Sequence, residues 1–253
     1  MMFENKLLIC DDFFYSPNPD FMYCFKRKWH LRLIAAFVFS SFIFWGCLTP
    51  AKVDGYISDG YSGLPRVKNN DYIILATQHN IGDKNIISVT KKDKGKVLPL
   101  ILYWKFQSSV TSTLSQSVPF SYFNSTLMTY ANTKGLKQKL NGQRIELSMD
   151  KLPAIFSYTS VEHLIYLGIW YVHWGSVFVQ PQNQDVTISY RLLNNTNEET
   201  KKGTITIKDL NQRMYLKMFH YSAKKFIWRY LDKYNSNLQA MSKEFVDKLI
   251  VEL

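Results

Sequence analysis

The chain has 253 residues, of which 46% are hydrophobic, 20% are charged and 15% are aromatic. This composition excludes a disordered chain, a collagen and a coiled-coil rod, and it predicts one folded domain with a sizeable core. The 31 lysines and arginines outnumber the 20 aspartates and glutamates, so the formal net charge is +11. Such a charge suits an anionic partner without identifying it.

The first informative segment is a basic cluster, Lys26-Arg27-Lys28, followed by an apolar run from Leu33 to Leu48. As a helix, these 16 residues would span about 24 Å, which is short of the ~30 Å hydrocarbon core of a bilayer. A basic region, an apolar region and small residues at the end are typical of a secretory signal peptide.

The apolar run ends in Phe44-Trp45-Gly46-Cys47, which resembles the lipobox of bacterial lipoproteins. Gly46 and Cys47 match that motif, whereas Phe44 and Trp45 depart from the usual leucine and small residue. The resemblance covers residues 22–47 and implies cleavage between Gly46 and Cys47, followed by lipidation of the Cys47 sulfur. Two or three acyl chains would then anchor the protein to a membrane. The open alternative is a single-pass protein with an uncleaved signal anchor, in which Cys47 is merely a buried cysteine.

Residues 1–21 fit no signal peptide, because they carry three aspartates and two prolines before the basic cluster. A start at Met22 gives a signal peptide of 25 residues, 22–46, and makes 1–21 an over-called start; a start at Met1 makes them an extension of the chain. After cleavage Cys47 is the sole cysteine, which excludes an internal disulfide and a cysteine zinc site.

Residues 47–70 are rich in glycine and proline, and we expect them to form the lipidated cysteine and an irregular tether. In enterobacterial lipoproteins an aspartate after the lipidated cysteine retains the protein in the inner membrane. Leu48 is not aspartate, so the resemblance implies an envelope location at the outer membrane, facing the periplasm, if the host has two membranes.

Residues 71–253 are predicted to form a single α+β domain: an antiparallel sheet of about five or six strands covered by two helices. Alternating apolar residues predict strands, and apolar residues at three- and four-residue spacing predict helices. The apolar stretch 165–174 is expected to be a central strand covered on both faces. Strands are predicted at 71–76, 97–106, 145–149, 154–158, 164–180, 185–193 and 203–208, and helices at 119–133 and 223–252, the longer one being C-terminal.

No catalytic or metal-binding motif is found in the sequence. Gly60-Tyr61-Ser62-Gly63 is one residue short of a nucleophile elbow. His163 and His173 would lie about 33 Å apart on one straight strand, too far to share a metal. His79 and His220 are isolated, and the lysine cluster 91–96 lacks a phosphate-loop pattern and is expected to be a solvated loop.

These patterns favour a lipid-anchored envelope protein that acts as a non-enzymatic adaptor or accessory subunit, with a protein partner of unknown identity. The aromatic run from Tyr166 to Phe178 motivates an alternative, a carrier that holds a small apolar ligand between sheet and helix. No cofactor is expected, and nucleic acid is not expected as a partner because export would separate the two.

Overall fold

The chain divides after Cys47, and Leu48–Leu253 forms a unit of its own. A computed structural model describes residues 48–76, 85–99, 102–149, 151–167, 170–216 and 222–253 of this unit. Within them the helices are α1 (Pro50–Gly60), α2 (Ser117–Thr133), α3 (Leu136–Lys139) and α4 (Ala223–Glu252). The strands are β1 (Ile73–Leu75), β2 (Ile86–Leu98), β3 (Tyr103–Leu114), β4 (Arg144–Met149), β5 (Ile155–Leu167), β6 (Trp170–Pro181), β7 (Val186–Leu193), β8 (Glu199–Ile207) and β9 (Met214–Tyr215).

The strands form two sheets. The smaller sheet has the order β1-β4-β7-β8, and the larger sheet has the order β2-β3-β5-β6-β9. All pairs are antiparallel except β1 with β4. The predicted α+β class, with antiparallel strands and a long C-terminal helix, is confirmed; the strands divide between sheets of four and five instead of forming one.

The long helix α4 contributes to both hydrophobic cores. Its first half packs with the larger sheet through Phe226, Ile227, Tyr230, Leu231, Tyr234 and Leu238, whereas its second half packs with the smaller sheet and α2 through Met241, Phe245, Val246 and Leu249. The apolar residues whose three- and four-residue spacing predicted this helix form its buried face, which we call the α4 stripe. Ser222 caps its N-terminus by accepting a hydrogen bond from the Lys225 amide at 3.4 Å.

The expected tether is wrong for residues 50–60, which form α1. Thr49 caps the helix by accepting a hydrogen bond from the Lys52 amide, and Pro50 occupies the first turn, where a missing N–H costs nothing. Val53 and Ile57 lie one turn apart and are fully buried in the core of the larger sheet. Through these two residues, α1 packs against the larger sheet and is part of the folded unit.

The expected central strand through 165–174 is also wrong. Leu167 pairs with Trp170, so the chain reverses there and forms the hairpin of β5 and β6. The side chains of Trp170 to Trp174 are exposed instead of being covered on both faces. The lysine cluster 91–96, expected as a loop, lies within β2 and pairs with β3.

A first prediction concerns the α4 stripe. Phe245 is fully buried in the core of the smaller sheet, so Phe245→Ala should lower the free energy of unfolding by about 3–5 kcal/mol because it leaves a cavity. Val251 lies six residues further along the same helix and is 86% exposed, so Val251→Ala should change stability by less than about 0.5 kcal/mol. Urea unfolding of both variants measures this difference; equal losses would contradict the assignment of the buried face.

A second prediction concerns alkaline pH. Burial is the main cause that raises the pKa of Tyr61 and Tyr234, and neighbouring tyrosines add to it. Because the folded protein favours the neutral phenols, this stabilisation is complete below the usual tyrosine pKa of about 10 and is lost as the pH rises above it. The Tyr234 hydroxyl donates to the Pro153 carbonyl. Tyr234→Phe should therefore cost about 1–2 kcal/mol at pH 7 and less at pH 11, as measured by urea unfolding. An equal loss at both pH values would contradict it.

Candidate interaction surface

Two predicted site residues, Gly46 and Cys47, lie outside the described residues, so cleavage and lipidation stay predictions. His79 and His220 also lie outside them. The first described residue, Leu48, packs against the core of the larger sheet. Among the helices that the structure describes, none is long and apolar enough to cross a membrane.

The most unusual feature of the described surface is the outer half of the larger sheet, which projects beyond its core. The last buried residues of this sheet are Val110, Tyr158, Thr159 and Val179. Beyond them, strands β2, β3, β5 and β6 continue without any fully buried residue. We call this part the sheet extension and define it as residues 91–98, 102–109, 160–167 and 170–177.

The sheet extension concentrates exposed apolar and aromatic side chains. It carries ten of the fifteen large hydrophobic residues that are exposed in the described part of the chain: Val97, Leu98, Leu102, Phe106, Tyr166, Leu167, Trp170, Tyr171, Val172 and Trp174. Trp170 is 71% exposed and Tyr171 is 65% exposed. Soluble monomers rarely expose such a contiguous apolar region, which is typical of an interaction site.

Part of this surface is ordered by stacking. The rings of His163 and Trp174 are parallel to within 2°, with centroids 5.0 Å apart, and Tyr103 stacks beside them. The Tyr103 hydroxyl lies 2.6 Å from His163 Nδ1. Such cross-strand pairs stabilise a sheet that has no core beneath it.

The predicted separation of His163 and His173 is wrong, because the two residues lie on neighbouring antiparallel strands. His163 pairs with Trp174, and His173 pairs with Leu164, so the two histidines occupy opposite faces of the sheet. His173 Nε2 lies 3.8 Å from Glu162 Oε2 at the surface. Within the described residues, no group of three metal-ligating side chains comes together.

The two edges of the sheet extension differ in charge. The β2 edge carries Lys91, Lys92, Lys94 and Lys96. Asp93 on the same strand has a lowered pKa because it accepts a hydrogen bond from Ser108 and interacts with Lys91. The β6 edge, from Trp170 to Pro181, contains no lysine, arginine, aspartate or glutamate. Lysines on an exposed edge prevent pairing with another strand, so β2 is protected and β6 is not.

A short strand already uses the inner end of the β6 edge. β9 pairs with Phe178 and Val179, and the Leu216 amide donates to the Val177 carbonyl at 2.8 Å. In an antiparallel sheet the backbone groups of alternate residues face the same side, so those of Gly175, His173 and Tyr171 face the same edge as those of Val177. Among the described residues, none pairs with this outer part of the edge.

The depressions on the described surface are shallow and open. One, of about 520 Å³, lies between α2 and residues 68–70, and another, of about 690 Å³, lies along α2 and the end of α4. Neither lies between the larger sheet and a helix, where the carrier hypothesis places its ligand. The aromatic run behind that hypothesis, Tyr166 to Phe178, lies mainly on the sheet extension.

The aromatic run from Tyr166 to Phe178 was visible in the sequence, but its exposure was not predicted. Two signals for a hairpin edge were present: β6 lacks charges over 12 residues, and Gly168 interrupts the apolar run. Lys92, Lys94 and Lys96 at alternate positions of β2 were a third signal.

Comparisons with known proteins add no relative. No family model matches the chain, and neither the curated proteins nor the solved structures contain a match.

Proposed function

We propose that this protein is a membrane-anchored adaptor of the bacterial cell envelope, which holds a protein partner by adding one strand of that partner to the open edge of β6. The observation that carries the proposal is the contrast between the uncharged, exposed β6 edge and the lysine-rich β2 edge of the same sheet. Strand addition gives affinity through main-chain hydrogen bonds and specificity through alternate side chains.

The partner's strand would continue the path of β9 along β6. It would meet outward backbone groups at Tyr171, His173 and Gly175, and aromatic side chains on both faces of the sheet. The chemistry of this edge favours an extended segment with apolar or aromatic residues at alternate positions and few charges. A basic segment would meet no carboxylate on β6 itself.

Membrane anchoring is supported by the apolar run 33–48, the basic cluster before it and Gly46-Cys47 at its end. The described unit begins at Leu48, directly after the lipobox-like motif. We propose Cys47 as the lipidated residue and the periplasmic face of the outer membrane as the location in a host with two membranes. An uncleaved signal anchor would hold the same body at the membrane.

A third prediction separates these two anchors. In a bacterial host, the wild-type chain should lose the residues up to Gly46 and gain the mass of a lipid on Cys47, whereas Cys47→Ala should carry no lipid mass. Intact-mass analysis of membrane and soluble fractions measures this. Cys24→Ala is the matched control and should give the wild-type mature mass, because Cys24 lies in the removed segment. If wild type and Cys47→Ala both keep the apolar run, the anchor is an uncleaved helix.

A fourth prediction tests strand addition. His173→Pro removes an outward N–H that a partner strand would use, so it should reduce the partner-bound species about tenfold. His173→Ala removes the same side chain but keeps the N–H, and it should retain the complex. Size-exclusion chromatography of the tagged full chain, solubilised from membranes of its native bacterium, measures the bound fraction.

Thermal unfolding of the two His173 variants is the control for folding. Both variants should unfold at nearly the wild-type temperature. Loss of the complex in both variants would assign binding to the side chain of His173 instead of to the strand edge. Retention in both would contradict strand addition at this edge.

A further inference from the structure

The outer ends of the two hairpins in the sheet extension carry the most exposed aromatic side chains of the described surface. We call them the hairpin ends and define them as Leu98, Leu102, Tyr166, Leu167, Trp170 and Tyr171; all six side chains are exposed. The ends lie side by side, because Tyr103 of the first hairpin pairs with Ile165 of the second. Tryptophan and tyrosine at a free end are typical of the interface between water and lipid.

Lysines lie directly behind the hairpin ends. Lys96 and Lys105 pair across β2 and β3, about 7 Å from Leu98 along the strand. The sheet extension as a whole contains five lysines but two carboxylates, Asp93 and Glu162. A basic collar behind an aromatic end complements the negative surface of a bilayer that contains anionic lipid.

The direction of the hairpin ends relative to α4 follows from its contacts with β5. The centroids of the Phe226 and Tyr158 rings are 6.2 Å apart. Two turns further along α4, the Tyr234 hydroxyl donates to the Pro153 carbonyl. Because β5 runs from Ile155 toward the hairpin ends, the N-terminus of α4 lies on the side of those ends.

Helix α1 has the same direction. Trp228 Nε1 donates to the Tyr56 carbonyl at 2.7 Å, and the Tyr61 hydroxyl donates to Asn235 Oδ1 at 3.2 Å. Residue numbers therefore rise together along α1 and α4, which places Pro50 on the side of the hairpin ends. The first described residues, Leu48 and Thr49, directly precede Pro50 in the chain.

The lengths of the elements show how far the hairpins extend. From Tyr56 back to Pro50, α1 rises about 9 Å, whereas β5 covers about 30 Å from Tyr158 to Leu167. Tyr56 lies near Tyr158. Burial is the main cause that raises the pKa of Tyr158, and the charge of the Tyr56 side chain adds to it. Along the direction of β5, the hairpin ends therefore lie further from Tyr158 than the start of α1 does.

We propose that the hairpin ends insert into the interface of an anionic phospholipid bilayer and form a second membrane contact besides the anchor. This contact rests on the membrane anchoring of the proposed function, but it does not depend on strand addition at β6. The aromatic rings occupy the level of the headgroups, and Lys96 and Lys105 contact the phosphates.

The experiment places a photoreactive probe at a hairpin end. The full chain carries p-benzoylphenylalanine in place of Trp170, is reconstituted into vesicles of phosphatidylcholine and phosphatidylglycerol, and is irradiated. Intact-mass analysis should show a phospholipid adduct in at least fivefold higher yield than with the same probe at Val251, which is exposed at the other end of α4. The yield should fall severalfold in vesicles of phosphatidylcholine alone, and the additional change of Lys96 and Lys105 to glutamine should abolish this dependence on lipid charge.

Equal adduct yields at Trp170 and Val251 would overturn the proposal. So would a Trp170 probe that, in native bacterial membranes, attaches to a second copy of the chain or to another protein instead of lipid. A failure of anchoring is distinguishable from both, because the full chain would then be missing from the vesicle pellet. A failure of strand addition would be detected independently, by the two His173 variants.

Discussion

The fold depends on one helix that completes two hydrophobic cores. At 30 residues, α4 is about 45 Å long, and its buried stripe packs on the larger sheet up to Leu238 and on the smaller sheet from Met241 onward. Helix α2 also reaches both cores, with Val118 in the core of the larger sheet and Phe123 and Leu127 in the core of the smaller sheet. The two sheets are therefore joined by shared helices, and a cavity at either end of α4 is expected to destabilise the whole unit.

Much of this core was predictable from sequence because its elements have strong periodicity. The apolar face of α4 was predicted correctly, and so were the strands that became β4 and β7. The helix predicted at 119–133 is observed as Ser117–Thr133. Helix α1 was missed because only Val53 and Ile57 anchor it among glycines. The pairing of Leu167 with Trp170 was missed because apolar residues continue on both sides of it in the sequence. For the candidate surface, an apolar strand pattern shows that water is unfavourable there, but a buried core, a partner and a membrane all satisfy that pattern.

The sheet extension separates the two proposed contacts in space. Its hairpin ends point along the strands toward the side on which α1 begins, whereas the open β6 edge lies along the flank of the sheet. A strand added at β6 would run alongside the extension without displacing its ends. The lysines of β2 lie on the opposite edge, where they oppose strand pairing and would add positive charge near the proposed lipid contact.

The chain between Cys47 and helix α1 is short. Because Leu48 and Thr49 alone separate Cys47 from Pro50, a lipid on that sulfur would lie within about 10 Å of the helix. If Cys47 carries the proposed lipid, this short connection would keep the body, and any partner on β6, close to the bilayer surface.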